Sequence, residues 1–137
     1  MLLSFHRLLI LILGTAIVSW GCSTKTYNGP TVDAFTGRLT HKGEPVSFPA
    51  EENVTLRAIF HKNGQAYGIP IQPDGTFQIG WMPIGQYTAL LIREKKPAGG
   101  ARGRRGPPGS MYTVPDGLNI EEGKTEYVIE LGPNWKP

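Results

Sequence analysis

The chain has 137 residues, and its 14 lysines and arginines against 11 aspartates and glutamates give a formal net charge of +3 at pH 7. This mild balance points to no particular partner, and a single cysteine excludes an internal disulfide. With 18 glycines and 12 prolines the composition favours a turn-rich all-β protein over a helical one.

Residues 1–21 have the pattern of a secretory signal peptide. A basic start ending in Arg7 precedes the apolar run "LLILILGTAIV" and the small residues that follow it. A membrane-spanning helix needs roughly 20 apolar residues, so this run is too short to span comfortably. The sequence predicts export, with an uncleaved anchor as the alternative.

Cys22 follows the apolar run directly, and "VSWGC" resembles the lipobox of bacterial lipoproteins. This resemblance implies cleavage before Cys22 and acylation of its thiol, which would anchor the protein to a membrane of the bacterial cell envelope. Ser23 is compatible with the outer membrane. Ser19 and Trp20 depart from the usual lipobox, and the alternative is an ordinary signal that leaves a free thiol.

Residues 22–33 are polar and without periodicity, which predicts a flexible tether. Alternation of apolar and polar side chains then predicts strands separated by turns. The predicted strands fall at 35–41, 54–60, 66–72, 76–79, 86–92, 118–120 and 126–131.

Several residues indicate where in the sheets these strands lie and how they are connected. Pro70 cannot donate to a central ladder, which predicts an edge position for its strand. Asn63-Gly64 predicts a hairpin, and Asp74-Gly75 predicts a tight turn. Leu90 and Ile92 are apolar at outward positions, which predicts a central strand that is partly covered on both faces.

Residues 95–110, rich in glycine, arginine and proline, predict a mobile loop, and residues 133–137 predict a short tail. Residues 34–132 therefore form one domain. Six or seven short strands at intervals of about ten residues predict an all-β sandwich of antiparallel sheets.

Three segments, "TGRLTHKGEPV", "PDGTFQIGWMPIGQYTALL" and "GLNIEEGKTEYVIEL", resemble the carboxypeptidase regulatory-like domain in its small-lipoprotein form. The resemblance covers nearly all of residues 34–131. It implies a single transthyretin-like Greek-key sandwich of about seven strands. Trp81 and Met82 depart from the small or polar residues common at their positions, and the Gly/Arg loop is an insertion. The shared motifs form turns and core, so Asp74, Gly75, Gly85 and Tyr87 are interpreted as scaffold.

The sequence contains no recognisable catalytic motif, and we predict a protein that is not an enzyme and needs no cofactor. His41 and His61 sit at strand ends before lysine-containing turns, and no third ligand is spaced to complete a metal site with them. The acid pairs Glu51-Glu52 and Glu121-Glu122 are interpreted as turn residues. No nucleic acid is expected as a partner of an exported protein.

Charge and aromatic residues define the candidate binding sites. The segment 93–105 has six basic residues against Glu94, a local net charge of +5, and it includes Arg102, Arg104 and Arg105. A solvated loop and a contact with an anionic partner remain alternatives. Trp81, and with it Trp135, is a candidate for stacking against sugars. Two functions are therefore retained: a non-catalytic envelope lipoprotein with a structural or protein-interaction sandwich, and a carbohydrate-binding module for anionic polysaccharide.

Overall fold

A computed structural model describes residues 27–97 and 109–137, and within these ranges the chain forms eleven strands and no helix. No helix of the described residues is long and apolar enough to cross a membrane. The strands are β1 (Thr31–Val32), β2 (Phe35–His41), β3 (Glu44–Pro45), β4 (Glu52–Phe60), β5 (Ala66–Ile71), β6 (Thr76–Ile79), β7 (Met82–Pro83), β8 (Gly85–Lys95), β9 (Ser110–Thr113), β10 (Leu118–Ile120) and β11 (Glu126–Leu131).

The larger sheet has five strands in the order β10-β8-β4-β5, with β9 also paired to β8. All its pairings are antiparallel. The central strand β8 is the longest, and β5, which contains Pro70, lies at the edge as predicted. A proline is tolerated there because its missing N–H interrupts no central ladder.

The smaller sheet has four strands, in which β2 pairs with β11, β3 and β6. The pairing of β2 with β11 is parallel and runs from Thr36 opposite Glu126 to His41 opposite Leu131. β3 and β6 are both antiparallel to β2. The predicted all-β sandwich of antiparallel sheets is confirmed, with this one parallel pair as its exception.

The core consists of the inward side chains of the two sheets. In β4, for example, every second residue from Val54 to Phe60 is buried, because alternate side chains of a strand point to opposite faces. The side chains that are almost completely buried include Leu39, Leu56, Phe60, Ile69, Phe77, Met82, Tyr87, Leu91, Ile120 and Leu131. Apolar burial on this scale is the main force that holds the sheets together.

One end of the sandwich is closed by residues that the sequence assigned to the tether. Thr31 and Val32 form β1 and pair with β7, and the Tyr27 ring packs edge-on against Phe60 at 5.4 Å. The domain therefore begins before the predicted boundary at residue 34. A two-residue strand is too short to show the alternation by which strands are recognised.

The turn at Asp74-Gly75 is built as predicted. The Asp74 carboxylate accepts hydrogen bonds from the amide and the hydroxyl of Thr76, at 3.0 and 2.6 Å. These bonds lower the pKa of the Asp74 carboxyl. Gly75 has a φ of 80°, and a Cβ atom there would collide with the carbonyl oxygen of Val46. The position therefore requires glycine.

The C-terminal tail belongs to the core, in contrast to the prediction. Trp135 is only 6% exposed and packs against Phe48 and Tyr112 with ring centroids 6.0 and 5.4 Å away. The predicted loop 95–110 is also shorter at both ends, since β8 includes Lys95 and β9 begins at Ser110. Its middle, residues 98–108, lies outside the described residues.

Candidate functional site

The outward face of the five-stranded sheet has several large apolar side chains among its polar ones, although such a face is usually polar where it meets solvent. Ile59, Leu90 and Ile92 point away from the core, and Met111 beside Ile92 is 62% exposed. In the strand register Ile92 lies directly beside Met111, whereas Leu90 lies beside Arg57 and Ile59 beside Thr88. We call this surface, formed by Ile59, Leu90, Ile92 and Met111, the apolar face.

No described strand covers the apolar face. Leu90 and Ile92, predicted to be partly covered, are half-buried. Isolated apolar residues on a surface need no explanation, but four apolar residues grouped on three neighbouring strands indicate a candidate contact surface.

Arg57 lies at the centre of this surface. It is exposed and sits directly opposite Leu90 in the register. Within residues 27–97 and 109–137 the ion pairs are Arg93 with Glu52 and Lys124 with Glu121, so Arg57 pairs with no described carboxylate. The apolar face thus contains one positive charge that its own sheet does not neutralise.

Trp81, predicted as a sugar-stacking residue, lies at the margin of an aromatic cluster and is 47% exposed. Its ring is tilted against Tyr67 at 6.2 Å, and Tyr67 in turn packs edge-on against Tyr87 at 6.0 Å. One face of the indole is therefore supported by the fold while a large part stays accessible. Met82, the residue after it, is fully buried.

The tyrosines of this cluster serve the scaffold. The Tyr87 hydroxyl donates a 2.6 Å hydrogen bond to the Pro83 carbonyl, and burial raises the pKa of Tyr87. Burial also raises the pKa of Tyr67, whose hydroxyl is shielded from solvent and has no hydrogen-bond partner in the described part of the chain. Neither hydroxyl is presented to a ligand.

A shallow groove lies on the outward face of the smaller sheet. Two contiguous depressions of about 730 and 330 Å³ share Thr36 and Gln78, and Arg38 and Glu126 line the second. Gly80 lines the first depression, and Trp81 follows it in the chain. Amide, hydroxyl and charged groups of this kind hydrogen-bond sugar hydroxyls.

Trp135, the other tryptophan considered for sugar stacking, is buried in a structural cluster. The Arg93 guanidinium lies over the rings of Phe48 and Trp135, at 5.5 and 5.4 Å, and its Nε donates to the Glu52 carboxylate at 2.8 Å. The prediction that Glu52 is a turn residue was wrong, since it begins β4 and this ion pair links β4 to β8. The sequence signal that could have revealed the cluster was the placement of Arg93 at an inward position.

Glu130 has an outward side chain that holds a turn. Its carboxylate accepts hydrogen bonds from the Thr40 hydroxyl at 2.6 Å and from the amides of Lys42 and Gly43. The Thr40 bond in particular lowers the pKa of Glu130. Both turn residues have positive φ, 53° and 78°, as the tight β2–β3 hairpin requires.

The two histidines occupy strand ends as predicted. His41 Nδ1 lies 3.3 Å from the Leu131 carbonyl oxygen, and His61 Nε2 lies 3.0 Å from the Thr88 hydroxyl. The described residues contain no cluster of three side chains able to hold a metal ion. The predicted lipidation site Cys22 and the predicted binding residues Arg102, Arg104 and Arg105 lie outside the described residues.

Comparisons with known proteins do not assign the chain to a family. No protein-family model matches the chain, and no curated protein matches it. The crystal structure of a DUF3823 family protein from Parabacteroides merdae is similar to 77% of this chain, at 19% sequence identity and a TM-score of 0.41. The alignment covers 48% of that protein, so the chain spans about half its length. The resemblance to the carboxypeptidase regulatory-like domain stays a prediction.

Proposed function

We propose that this protein is a non-catalytic lipoprotein of the bacterial cell envelope whose β-sandwich binds another envelope protein through the apolar face. The observation that carries the proposal is the group of apolar side chains around Arg57 on the outward face of the five-stranded sheet, left uncovered by the described strands.

The chemistry of the apolar face defines the partner. Burying Arg57 without a counter-ion would leave an uncompensated charge, so the partner must place a carboxylate opposite it, surrounded by apolar side chains. The apolar face extends over three strands spaced about 4.8 Å apart, and even at a length of roughly 20 Å it is smaller than the ~800 Å² that each partner buries in a standard interface. The partner therefore also contacts the polar rim of the sheet.

The proposed anchor is acylated Cys22. Each buried methylene contributes about 0.8 kcal/mol, so two or three acyl chains would hold the domain firmly at the membrane. Because Tyr27 already packs on the domain, the tether runs from Cys22 to Tyr27 and spans at most about 17 Å. The docking partner must then lie in or close to the same membrane.

The absence of catalysis belongs to the same proposal. His61 contacts a threonine hydroxyl at an exposed strand end, and among the described residues no carboxylate hydrogen-bonds its imidazole to orient it as a general base. Glu52 is held in a structural ion pair and Glu130 in a turn, which leaves neither free for acid–base chemistry.

Cross-linking in intact cells, with mass spectrometry of the captured proteins, tests the proposal. We expect one dominant partner protein with the wild type, its loss with Arg57→Glu or Met111→Asp, and its retention with Arg38→Glu, a matched exposed arginine on the other sheet. Capture that survives Arg57→Glu and Met111→Asp would refute docking at the apolar face. If the captured proteins are only further copies of this chain, the apolar face mediates self-association and does not bind another envelope protein. An unmodified Cys22 in the same spectra would refute the lipid anchor.

A carbohydrate-binding function is the alternative, and the specific observations in its favour are the exposed Trp81 ring and the polar groove that Thr36 and Gln78 line. This alternative predicts that the protein binds an acidic polysaccharide and that Trp81→Ala abolishes this binding. Replacing Arg102, Arg104 and Arg105 with serine would reduce the salt dependence of that binding. No retention of the wild type on acidic polysaccharide columns would eliminate this alternative.

A further inference from the structure

Strand β11 lies at an open edge of the four-stranded sheet. Among the described strands it pairs with β2 alone. The Thr36 amide donates to the Thr125 carbonyl at 2.9 Å. This bond determines which residues of β11 direct their backbone N–H and C=O groups toward β2. Odd-numbered residues of β11 therefore face β2, and the backbone N–H and C=O groups of Glu126, Val128 and Glu130 point away from it.

A groove runs beside this edge, in the gap between β11 and the segment that contains β10. It has a volume of about 310 Å³ and is lined by Val114, Asp116, Asn119 and Val128 among others. An added strand has alternate side chains on opposite faces, so one row could enter this groove while the other extends the outward face of the sheet.

The charge around the edge is negative. Glu126 and Glu130 flank Val128, which is 55% exposed, on the outward face. In the groove, Asp116 is joined by Glu121, whose carboxylate lies 3.5 Å from the Lys124 ammonium. A basic segment would be attracted to this edge.

The same charges disfavour pairing of two copies of this chain. If two β11 strands paired antiparallel with Val128 opposite Val128, each Glu126 would face a Glu130 of the other copy. Like charges directly opposite one another destabilise a strand pair. The arrangement therefore discriminates against self-association and in favour of a basic strand.

We propose that the open edge of β11 binds an extended polypeptide segment with lysine or arginine at alternate positions, by strand addition. Backbone hydrogen bonds to the groups of Glu126, Val128 and Glu130 supply the attachment, and the two glutamates select basic side chains. This site lies on the other sheet from the apolar face and does not depend on the proposed docking there.

The probes are two soluble heptapeptides, one with alternating lysine and valine and one with alternating glutamate and valine. We expect the lysine peptide to bind the purified protein in calorimetry and the glutamate peptide not to bind. N-methylation removes an amide donor, so methylating one set of alternate amides should abolish binding while methylating the other set leaves it. If methylation of the lysine amides abolishes binding, the peptide adds antiparallel to β11. If methylation of the valine amides abolishes binding, the peptide adds parallel to β11.

Variants of the protein test the edge itself. Val128→Pro removes one outward N–H and leaves the hydrogen bonds between β11 and β2 in place. We expect it to bind the lysine peptide about tenfold more weakly, whereas the control Val128→Thr should bind it as the wild type does. Glu126→Lys should weaken binding of the lysine peptide and reduce its advantage over the glutamate peptide. Glu130 is left intact because its carboxylate holds the Lys42-Gly43 turn.

Hydrogen exchange provides an independent measure of the same contacts. Saturation with the lysine peptide should slow exchange of the Glu126, Val128 and Glu130 amides more than that of the intervening amides, which already donate to β2. Absence of lysine-peptide binding, equal binding of both peptides, or binding unaffected by Val128→Pro would each overturn the proposal.

Discussion

Replacement of Trp135 by alanine tests the role of the C-terminal residues in the fold. The indole is 6% exposed and lies against two aromatic rings, Phe48 and Tyr112, and beneath the Arg93 guanidinium. The substitution would remove these contacts together and leave a cavity between the C-terminal segment and the edge of the five-stranded sheet.

The magnitude follows from the buried surface. A buried tryptophan covers roughly 150–250 Å², and at about 25 cal/mol per Å² its burial is worth at most about 4–6 kcal/mol. Truncation of a buried aromatic residue to alanine typically costs about 3–5 kcal/mol. We expect Trp135→Ala to lower the free energy of unfolding by about 3–5 kcal/mol, a large fraction of the roughly 5–15 kcal/mol available to a domain.

Urea denaturation of the purified protein measures this loss, with Trp81→Ala as the matched control. Trp81 is 47% exposed, so its replacement should cost no more than about 1 kcal/mol. Equal losses for the two tryptophans, or a loss below about 1 kcal/mol for Trp135, would show that the C-terminal segment does not belong to the core.

Three further changes have defined outcomes. In a double-mutant cycle of Arg93→Met and Glu52→Gln, urea denaturation should give a coupling energy of about 1–2 kcal/mol, because the pair is close and half-buried; additive effects would contradict this. The pKa of Glu130 is lowered in the folded state, so its hydrogen bonds stabilise the fold at pH values above the ordinary glutamate pKa of about 4.3. This stabilisation is lost as the pH falls through the lower folded-state pKa. Acid titration of Glu130→Gln should therefore show a shallower loss of stability than the wild type, and an unchanged slope would refute the assignment. Gly75→Ala should cost at least about 2 kcal/mol by thermal or urea unfolding, whereas Gly43→Ala, with similar φ but open space around it, should cost about 1 kcal/mol; equal costs would show that the collision at Gly75 is relieved.

Much of the sandwich was predictable because the alternation of apolar and polar residues and the residue types of the turns are visible in short stretches of sequence. The buried residues of β4, the edge position of β5 and the Asp74-Gly75 turn all follow from short stretches of sequence. β1 was not predictable, since two residues have no period, and neither was the burial of Trp135, whose neighbours come from distant parts of the chain.

The candidate surfaces were harder to predict than the fold. The apolar residues Leu90 and Ile92 were visible in the sequence, but whether a second layer covers them depends on the packing of the whole chain. Trp81 was recognised as a candidate and is accessible. The open edge of β11 could not be foreseen, because strand order is set by long-range pairing that no local pattern encodes.

The parallel pairing of β2 with β11 has a consequence for how the chain reaches its folded state. It joins residues such as Thr40 and Glu130 that are 90 positions apart. Contacts of such long range are slow to form, and during synthesis they cannot form until β11 has left the ribosome. The smaller sheet therefore stays incomplete long after β2 has been made, a delay that is compatible with the export proposed above.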